Sequence, residues 1–336
     1  MTDAQPLIDI LTTCKNVLIT THVRPDGDAL GSTAALSLGL RAKGIASEVL
    51  LLSALPPKYA FVHKDPGVIS YDMDRGWPTA FDFDRFDALA VVDTGTWSQL
   101  PGMQERLANF TKPKLVIDHH LTQEDWATHH LVDKKASSAA EVVAMLLKQW
   151  GVPFDSQIAN ALYVGMTADT GWFQYSNTRP ATLRLAAELM EIGVDTDRIY
   201  QALYQNDRPQ RLAMQTKALQ SLQLLAGGKL AVMTLTKQDY LDAGATNNDT
   251  DGLINIPLSV ATVEVSLMLA EPLVDGPIRG SLRSKGGIDV AAFAQQFGGG
   301  GHARAAGVKF EGTLTDAVEK VAGELTRAIT ATPAAT

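Results

Sequence analysis

Short apolar runs alternate with longer stretches of helical spacing along the first half of the chain. NVLITTHV (16–23), SEVLLLSA (47–54), DALAVVDT (87–94) and KLVIDHH (114–120) are nearly continuous apolar segments, which predicts strands buried on both faces. ALGSTAALSLGLRAKG (29–44), closed by Gly44, SSAAEVVAMLLKQWG (137–151) and DSQIANALYVGMTADT (155–170) predict helices. Strand–helix alternation of this kind gives an α/β domain with a mainly parallel sheet flanked by helices. In such sheets ligands bind beyond the carboxyl ends of the strands.

The pattern changes further on. TRPATLRLAAELMEIG (178–193) predicts a helix with Pro180 near its start, and the segment 196–225 is helical in spacing but broken near Pro209. After Gly227-Gly228 come a strand (229–236), a hairpin of 263–273 and 277–284 turned at Val274-Asp275-Gly276, a helix (289–297), a strand (307–312) and a closing helix (313–329). The expected organisation is an N-terminal domain over 1–193, a helical connector over 194–226, a smaller α+β domain with a mixed sheet over 227–330, and a disordered tail over 331–336. No internal repeat is visible.

Composition narrows the setting. A chain of 336 residues, 46% hydrophobic and 20% charged, can bury two cores. Cys14 is the one cysteine, so an intrachain disulfide and a thiolate zinc site are excluded, and a reducing, cytoplasmic setting is expected. The start MTDAQPLIDILTTCK does not read as a signal peptide, and no run reaches membrane-spanning length. The net charge of −8 argues against gripping long duplexes and for a small substrate, or a few nucleotides held at a local patch.

The strand ends carry the chemistry. The first runs into THVRPDGDALGS, with His22, Asp26 and Asp28; another ends at Asp93; a third ends at Asp118, His119 and His120; and Asp169 closes a helical stretch in GMTADTGWF. Helix capping would account for Asp28 and in part for Asp26, but not for His22. Five carboxylates and three imidazoles are more than one ion needs. Two divalent ions about 3.5–4 Å apart, bridged by a carboxylate, would use them. Imidazole and carboxylate without thiolate suit manganese, with magnesium, iron or cobalt as alternatives. Such a pair makes hydroxide available near neutral pH and neutralises phosphoester oxygens, so phosphoester hydrolysis is the expected reaction.

THVRPDGDALGS, VVDT, DHH and GMTADTGWF, in this order, resemble the four motifs of the DHH phosphoesterase family. SLRS (281–284) and FGGGGHARAAG (297–307) resemble the DHH-associated domain of its nanoRNase, pAp-phosphatase and cyclic-dinucleotide phosphodiesterase branch. The resemblance implies that His22 and Asp26 bind one metal, that Asp28, His119 and Asp169 bind the other, and that Asp93 bridges them. It implies that His120 faces the substrate phosphate or leaving oxygen and that Asp118 orients the histidines. Asp251, where relatives often carry Glu, is a departure.

In the second domain the four glycines 298–301 before His302 let backbone amides approach an anion, and Arg279, Arg283, Lys285 and Arg304 lie nearby. Arg283 is the candidate phosphate grip, with Ser284, Gly299, Gly300, Gly301 and His302 as further substrate contacts in a cleft between the domains. His63, His129 and His130 read as surface or loop residues, Cys14 as an apolar filler, Trp172 and Phe173 as core with base stacking as an alternative, and Ser137, Ser138 and Glu141 as a helix-capping pattern.

The expected activity is hydrolysis of short 5′-phosphorylated oligoribonucleotides to mononucleotides by a metal-bridging hydroxide, with pAp 3′-phosphatase activity besides. Cleavage of cyclic di-AMP or pApA is the alternative. A single-strand exonuclease, a family II-type pyrophosphatase and a non-catalytic nucleotide-binding protein fit the motifs less well. The resemblance also brings a homodimer as an expectation.

Overall fold

The computed structural model describes residues 3–64, 70–72 and 81–331. The tail from 332 onward, expected to be disordered, lies outside the described residues, while Ala331 still closes a helix. The chain forms two compact units, Met1–Asn206 and Asp207–Thr336. The segment expected to connect the domains, 194–226, is therefore divided between them.

The first unit is built on β1 (Asn16–Thr21), β2 (Ala46–Leu51), β3 (Ser70–Asp72), β4 (Ala88–Val92), β5 (Lys114–Asp118) and β6 (His129–Val132). They form one parallel sheet in the order β3-β2-β1-β4-β5-β6. Side chains alternate between two cores, as the pleat requires. Val17 and Ile19 enter a core on one face, while Leu18 joins Phe86, Leu89, Leu100 and Met103 on the other. Each such fully buried aliphatic side chain contributes about 1.5–3 kcal/mol of hydrophobic stabilisation.

The helices of this unit are α1 (Gln5–Thr13), α2 (Gly27–Ala42), α3 (Ala60–His63), α4 (Met103–Arg106), α5 (Ala139–Gln149), α6 (Ser156–Asp169), α7 (Pro180–Ile192) and α8 (Thr196–Tyr204). Residues 27–40 of α2 are all buried. Its close crossing with α6 depends on Gly31, where an added Cβ would stand 2.4 Å from the Ala161 carbonyl oxygen and 2.7 Å from the Gly165 nitrogen. Asp155 starts α6 by accepting a hydrogen bond from the Ile158 amide at 2.9 Å, and Gly193, with φ 113°, ends α7.

The second unit holds β7 (Gln223–Leu225), β8 (Leu230–Leu235), β9 (Val265–Ala270), β10 (Ile278–Ser284), β11 (Gly300–His302) and β12 (Ala305–Phe310). The sheet order is β11-β12-β10-β9-β8-β7; only β8 and β9 pair in parallel, so the sheet is mixed as expected. Its helices are α9 (Pro209–Gln220), α10 (Lys237–Ala243), α11 (Val290–Gln295), α12 (Leu314–Ala317) and α13 (Gly323–Ala331), with a π-turn over Val318–Ala322 joining the last two. Val290, Phe293, Leu325 and Ile329 cover one face of the sheet. Met214 and Ala218 of α9, with Leu253 and Ile254, cover Met233 and Met268 on the other face.

One expectation is corrected. Residues 223–225, read as the end of a helix, form β7, because Leu224 pairs with Ala231 of β8. Part of the four-glycine segment is a strand: Gly300 pairs with Gly307 and His302 with Ala305. No described helix is long and apolar enough to cross a membrane.

Candidate metal centre

The strand order runs outward from β1 through β2 to β3, then returns to place β4 on the other side of β1. Between β1 and β4 the connections leave in opposite directions, which opens a crevice at the carboxyl ends of the strands. His22 follows β1 directly, Asp93 follows β4, and Asp118, His119 and His120 end β5. The last residue of α6, Asp169, reaches the same place.

Asp93 is only 4% exposed and adopts φ 64°, a left-handed conformation that Asp tolerates better than most residues. Its amide remains tied to the sheet, donating to the Ile117 carbonyl at 3.0 Å. Its two carboxylate oxygens face different groups. Oδ2 lies 3.5 Å from His22 Nε2, and Oδ1 lies 3.5 Å from His119 Nε2.

On the first side, ligand atoms of His22, Asp26 and Asp93 lie within 4.8 Å of one another. Nδ1 of His22 is 3.0 Å from the Val23 carbonyl, which can only accept, so Nδ1 carries the proton and Nε2 is left as the ligand atom. Asp26 is the cap of α2, its Oδ1 accepting from the amides of Asp28 and Ala29 at 3.0 and 3.1 Å. The cap is therefore Asp26, and Asp28 sits inside the first turn.

On the second side, Asp28, His119 and Asp169 form a group of the same compactness. His119 Nε2 is 3.5 Å from Asp169 Oδ2 and 3.8 Å from Asp28 Oδ2. Asp28 is fully buried and is held by the start of α5, accepting from the amides of Ala139 at 2.6 Å and Ala140 at 2.9 Å.

Charge in this cluster is unbalanced without cations. Burial first, then the carboxylates of Asp93, Asp169 and Asp26, push the Asp28 carboxyl well above its usual range. Burial and the Asp93 and Asp26 charges raise Asp169 to about 6, although His119 opposes them. Burial works against protonation of His22, but Asp26 and Asp93 outweigh it and lift the imidazole to about 10. Asp93 Oδ1 and His119 Nε2 are buried with no hydrogen-bond partner among the described residues. Two orphaned polar atoms facing each other at 3.5 Å amid repelling carboxylates are what a divalent cation site looks like from the protein's side.

Asp118 has a separate task. It is fully buried; Oδ1 accepts from the amides of His119 and His120 at 2.7 and 3.2 Å and from His120 Nδ1 at 2.8 Å, while Oδ2 accepts from Gln123 Nε2 at 2.6 Å. The bond to Asp118 raises the His120 imidazole to about 9, against the effect of burial. The His120 side chain remains 55% exposed.

Gln123 was not foreseen, although it lies on the same loop. Asn177 was also missed: its Nδ2 donates to the carbonyls of Ser137 and Asp169 at 2.9 and 3.0 Å and so holds the end of α6. Its link to Ser137 spans 40 residues and leaves no local signal. The expected capping pattern is present, with Ser138 Oγ accepting from the Glu141 amide at 3.1 Å. His63, read as a surface or loop residue, is 6% exposed, with Nε2 3.1 Å from the Leu30 carbonyl. Trp172 and Phe173 pack against the core, and Cys14 is buried.

In the second unit, Arg283 and His302 lie in one cross-strand row with Ala305 between them, and Gly300 pairs with Gly307 in the next row. His302, Gly300 and Gly307 are exposed and Arg283 is half-buried, its Nη1 donating to the Leu282 carbonyl at 2.9 Å. Gly299 and Gly301 permit this pairing: an added Cβ would stand 2.0 Å from the Gly307 carbonyl oxygen or 2.4 Å from that of Ala305. Strand alternation sends Ser284 to the opposite face, where its Oγ accepts from the Gly286 amide at 3.0 Å. Lys285 bonds the Val260 carbonyl at 2.8 Å, and Arg279 and Arg304 are exposed.

Residues 16–166 match the profile of the DHH family, N-terminal domain, and residues 227–330 match the DHHA1 domain. A bifunctional oligoribonuclease and PAP phosphatase, NrnA, of Thermus thermophilus is 31% identical over 317 residues, covering 93% of this chain and 91% of its own. The Bacillus subtilis protein of the same name is 26% identical, covering 90% and 91%. An exopolyphosphatase-related protein from Bacteroides fragilis shares the fold with a TM-score of 0.86 and 27% identity, over 97% of this chain and 96% of that one.

Proposed function

Because the chain belongs to the DHH family, and is a phosphoesterase by that membership, we propose that it hydrolyses short 5′-phosphorylated oligoribonucleotides to mononucleotides and removes the 3′-phosphate of pAp. The substrate class rests on the likeness to NrnA over nearly the whole chain. The observation that carries the mechanism is Asp93, whose two oxygens face two separate sets of ligands.

His22 and Asp26 would hold one divalent cation, Asp28, His119 and Asp169 a second, and Asp93 both; manganese suits this donor set. The cations, when bound, lower the pKa of a water toward neutrality and neutralise charge on the phosphoester oxygens. The protein's own groups do the rest. Asp118 keeps the proton on His120 Nδ1 and orients the ring, and His120 Nε2 gives its proton to the leaving oxygen. Gln123 fixes Asp118, so that it stays aimed at the histidine. On the second unit, the remaining guanidinium nitrogens of Arg283, together with His302 and the exposed backbone at Gly300 and Gly301, would bind a further substrate phosphate.

Initial rates with manganese on pApA, a 5′-phosphorylated RNA oligomer, pAp and cyclic di-AMP test this reading. Rapid release of mononucleotides from the linear substrates, with cyclic di-AMP nearly untouched, is the expected result. Preferential opening of cyclic di-AMP would assign the site to second-messenger turnover instead.

A further inference from the structure

Helix α8 is anchored by Ile199 and Leu203, which are 3% and 9% exposed. Tyr200 and Tyr204, one turn apart on the adjoining stripe, stand 40% and 50% exposed. Their ring centroids are 5.0 Å apart. Trp172 packs edge-on behind both, at 5.1 Å from Tyr200 and 5.8 Å from Tyr204. Packing alone would bury such rings; here the core side is already filled by the aliphatic residues, and the tyrosines form an open aromatic surface.

The backbone that presents Trp172 is unusual. Gly171, Trp172 and Phe173 adopt successive φ values of 56°, 59° and 66°. Left-handed backbone is unfavourable for bulky L-residues, and strain of this sort persists mainly where a ligand site needs it. The Trp172 amide donates to the Thr167 carbonyl at 2.8 Å, and the Phe173 amide to Thr170 Oγ1 at 3.0 Å, which fixes the turn. The same turn leaves Asp169 in the metal centre.

A second link reaches the other side of that centre. Tyr59 lies against Gly27, where an added Cβ would come within 2.8 Å of the ring, and α8 packs on the short helix Pro57–Tyr59. The tyrosine pair thus adjoins the candidate ligands Asp26 and Asp28 at the start of α2 through Tyr59, and the candidate ligand Asp169 through Trp172.

We propose that Tyr200 and Tyr204, backed by Trp172, form a stacking platform for the base of the nucleotide whose phosphoester is cleaved. This rests on the substrate class proposed above. Every nucleobase has a π-face, so such a platform contributes binding without sequence preference. It fits an enzyme that must accept mixed short oligonucleotides.

The test compares pApA with a dinucleotide of the same backbone carrying no bases, using the wild type, Tyr200→Ala/Tyr204→Ala and Tyr200→Phe/Tyr204→Phe. The alanine pair is expected to raise KM for pApA about tenfold, with kcat changed less than about twofold, while the phenylalanine pair stays near wild type. The baseless substrate is expected to be turned over equally by all three. An unchanged KM for pApA in the alanine pair overturns the proposal, as does an equal loss on both substrates, which would mark a purely structural role. If the wild type cleaves neither substrate, the proposed substrate class falls, and the platform's ligand with it.

Discussion

At the scale of single residues, the centre is built from side chains whose backbone has little freedom left. Asp93 is held in a left-handed turn, and Asp118 spends its oxygens on two amides, an imidazole and a glutamine. Because the Asp118 bond raises His120 to about 9, against burial, the imidazole holds its proton at neutral pH and loses it as pH rises through that value. Asp118→Asn is expected to bring the His120 titration down in the metal-free protein, as followed by its ring resonances, and to cost about 10–100-fold in rate in the metal-loaded protein. His63 behaves oppositely. Burial, only partly offset by the Leu30 carbonyl, lowers it from 6.5 to about 4. Its contribution to stability is whole above the unfolded value of 6.5 and is lost as pH falls toward 4. The loss is on the order of 3 kcal/mol. The melting temperature of His63→Leu should fall less steeply than wild type over that window, and parallel slopes would contradict the assignment. The candidate ligands stand out in the sequence because each sits at a strand or helix end, where an acid or histidine interrupts an apolar run. His63 does not, because its burial comes from α2, whose Leu30 carbonyl and Thr33 hydroxyl lie near the ring.

At the scale of elements, the site depends on how closely α2, α5 and α6 approach. Gly31 allows α2 to meet the α6 backbone, and Asp28 accepts from amides at the start of α5, 111 and 112 residues away. Gly31→Ala puts a methyl against backbone atoms that cannot rotate aside. A loss of about 1–3 kcal/mol in thermal or denaturant unfolding is expected, with weakened metal affinity, because Asp28 and Asp169 ride on the displaced helices. Retention of both properties would show that the crossing is not what sets the ligand geometry. The long helices α2, α5, α6 and α7 and the buried strands β1, β2, β4 and β5 were legible through their periodicity, whereas the short α3, α4 and α10 and the strand β6 were not. The short strands β7 and β11 were not: each is three residues long, and each is defined by its pairing partner rather than by its own pattern.

At the scale of the whole molecule, the first unit is built on one parallel sheet and the second on one mixed sheet. The strand order of the first opens a crevice at the candidate metal centre, and the second places Arg283 and His302 in one row beside exposed glycines. Arg283→Ala is expected to raise KM for pApA by about tenfold or more, with a smaller change in kcat, since it removes the proposed charge-assisted phosphate contact and no candidate metal ligand. A fall in kcat at constant KM would contradict that division. The boundary between the two compact units at Asn206 has no signal of its own in the sequence, because it falls between α8 and α9 inside one stretch of helical spacing and is set by contacts. The central claim is that Asp93 joins two cations. The most direct measurement is anomalous diffraction at the manganese edge from crystals loaded with manganese. Two peaks about 3.5–4 Å apart, one on each Asp93 oxygen, are predicted. A single peak, or two peaks that Asp93 does not touch, would contradict the account.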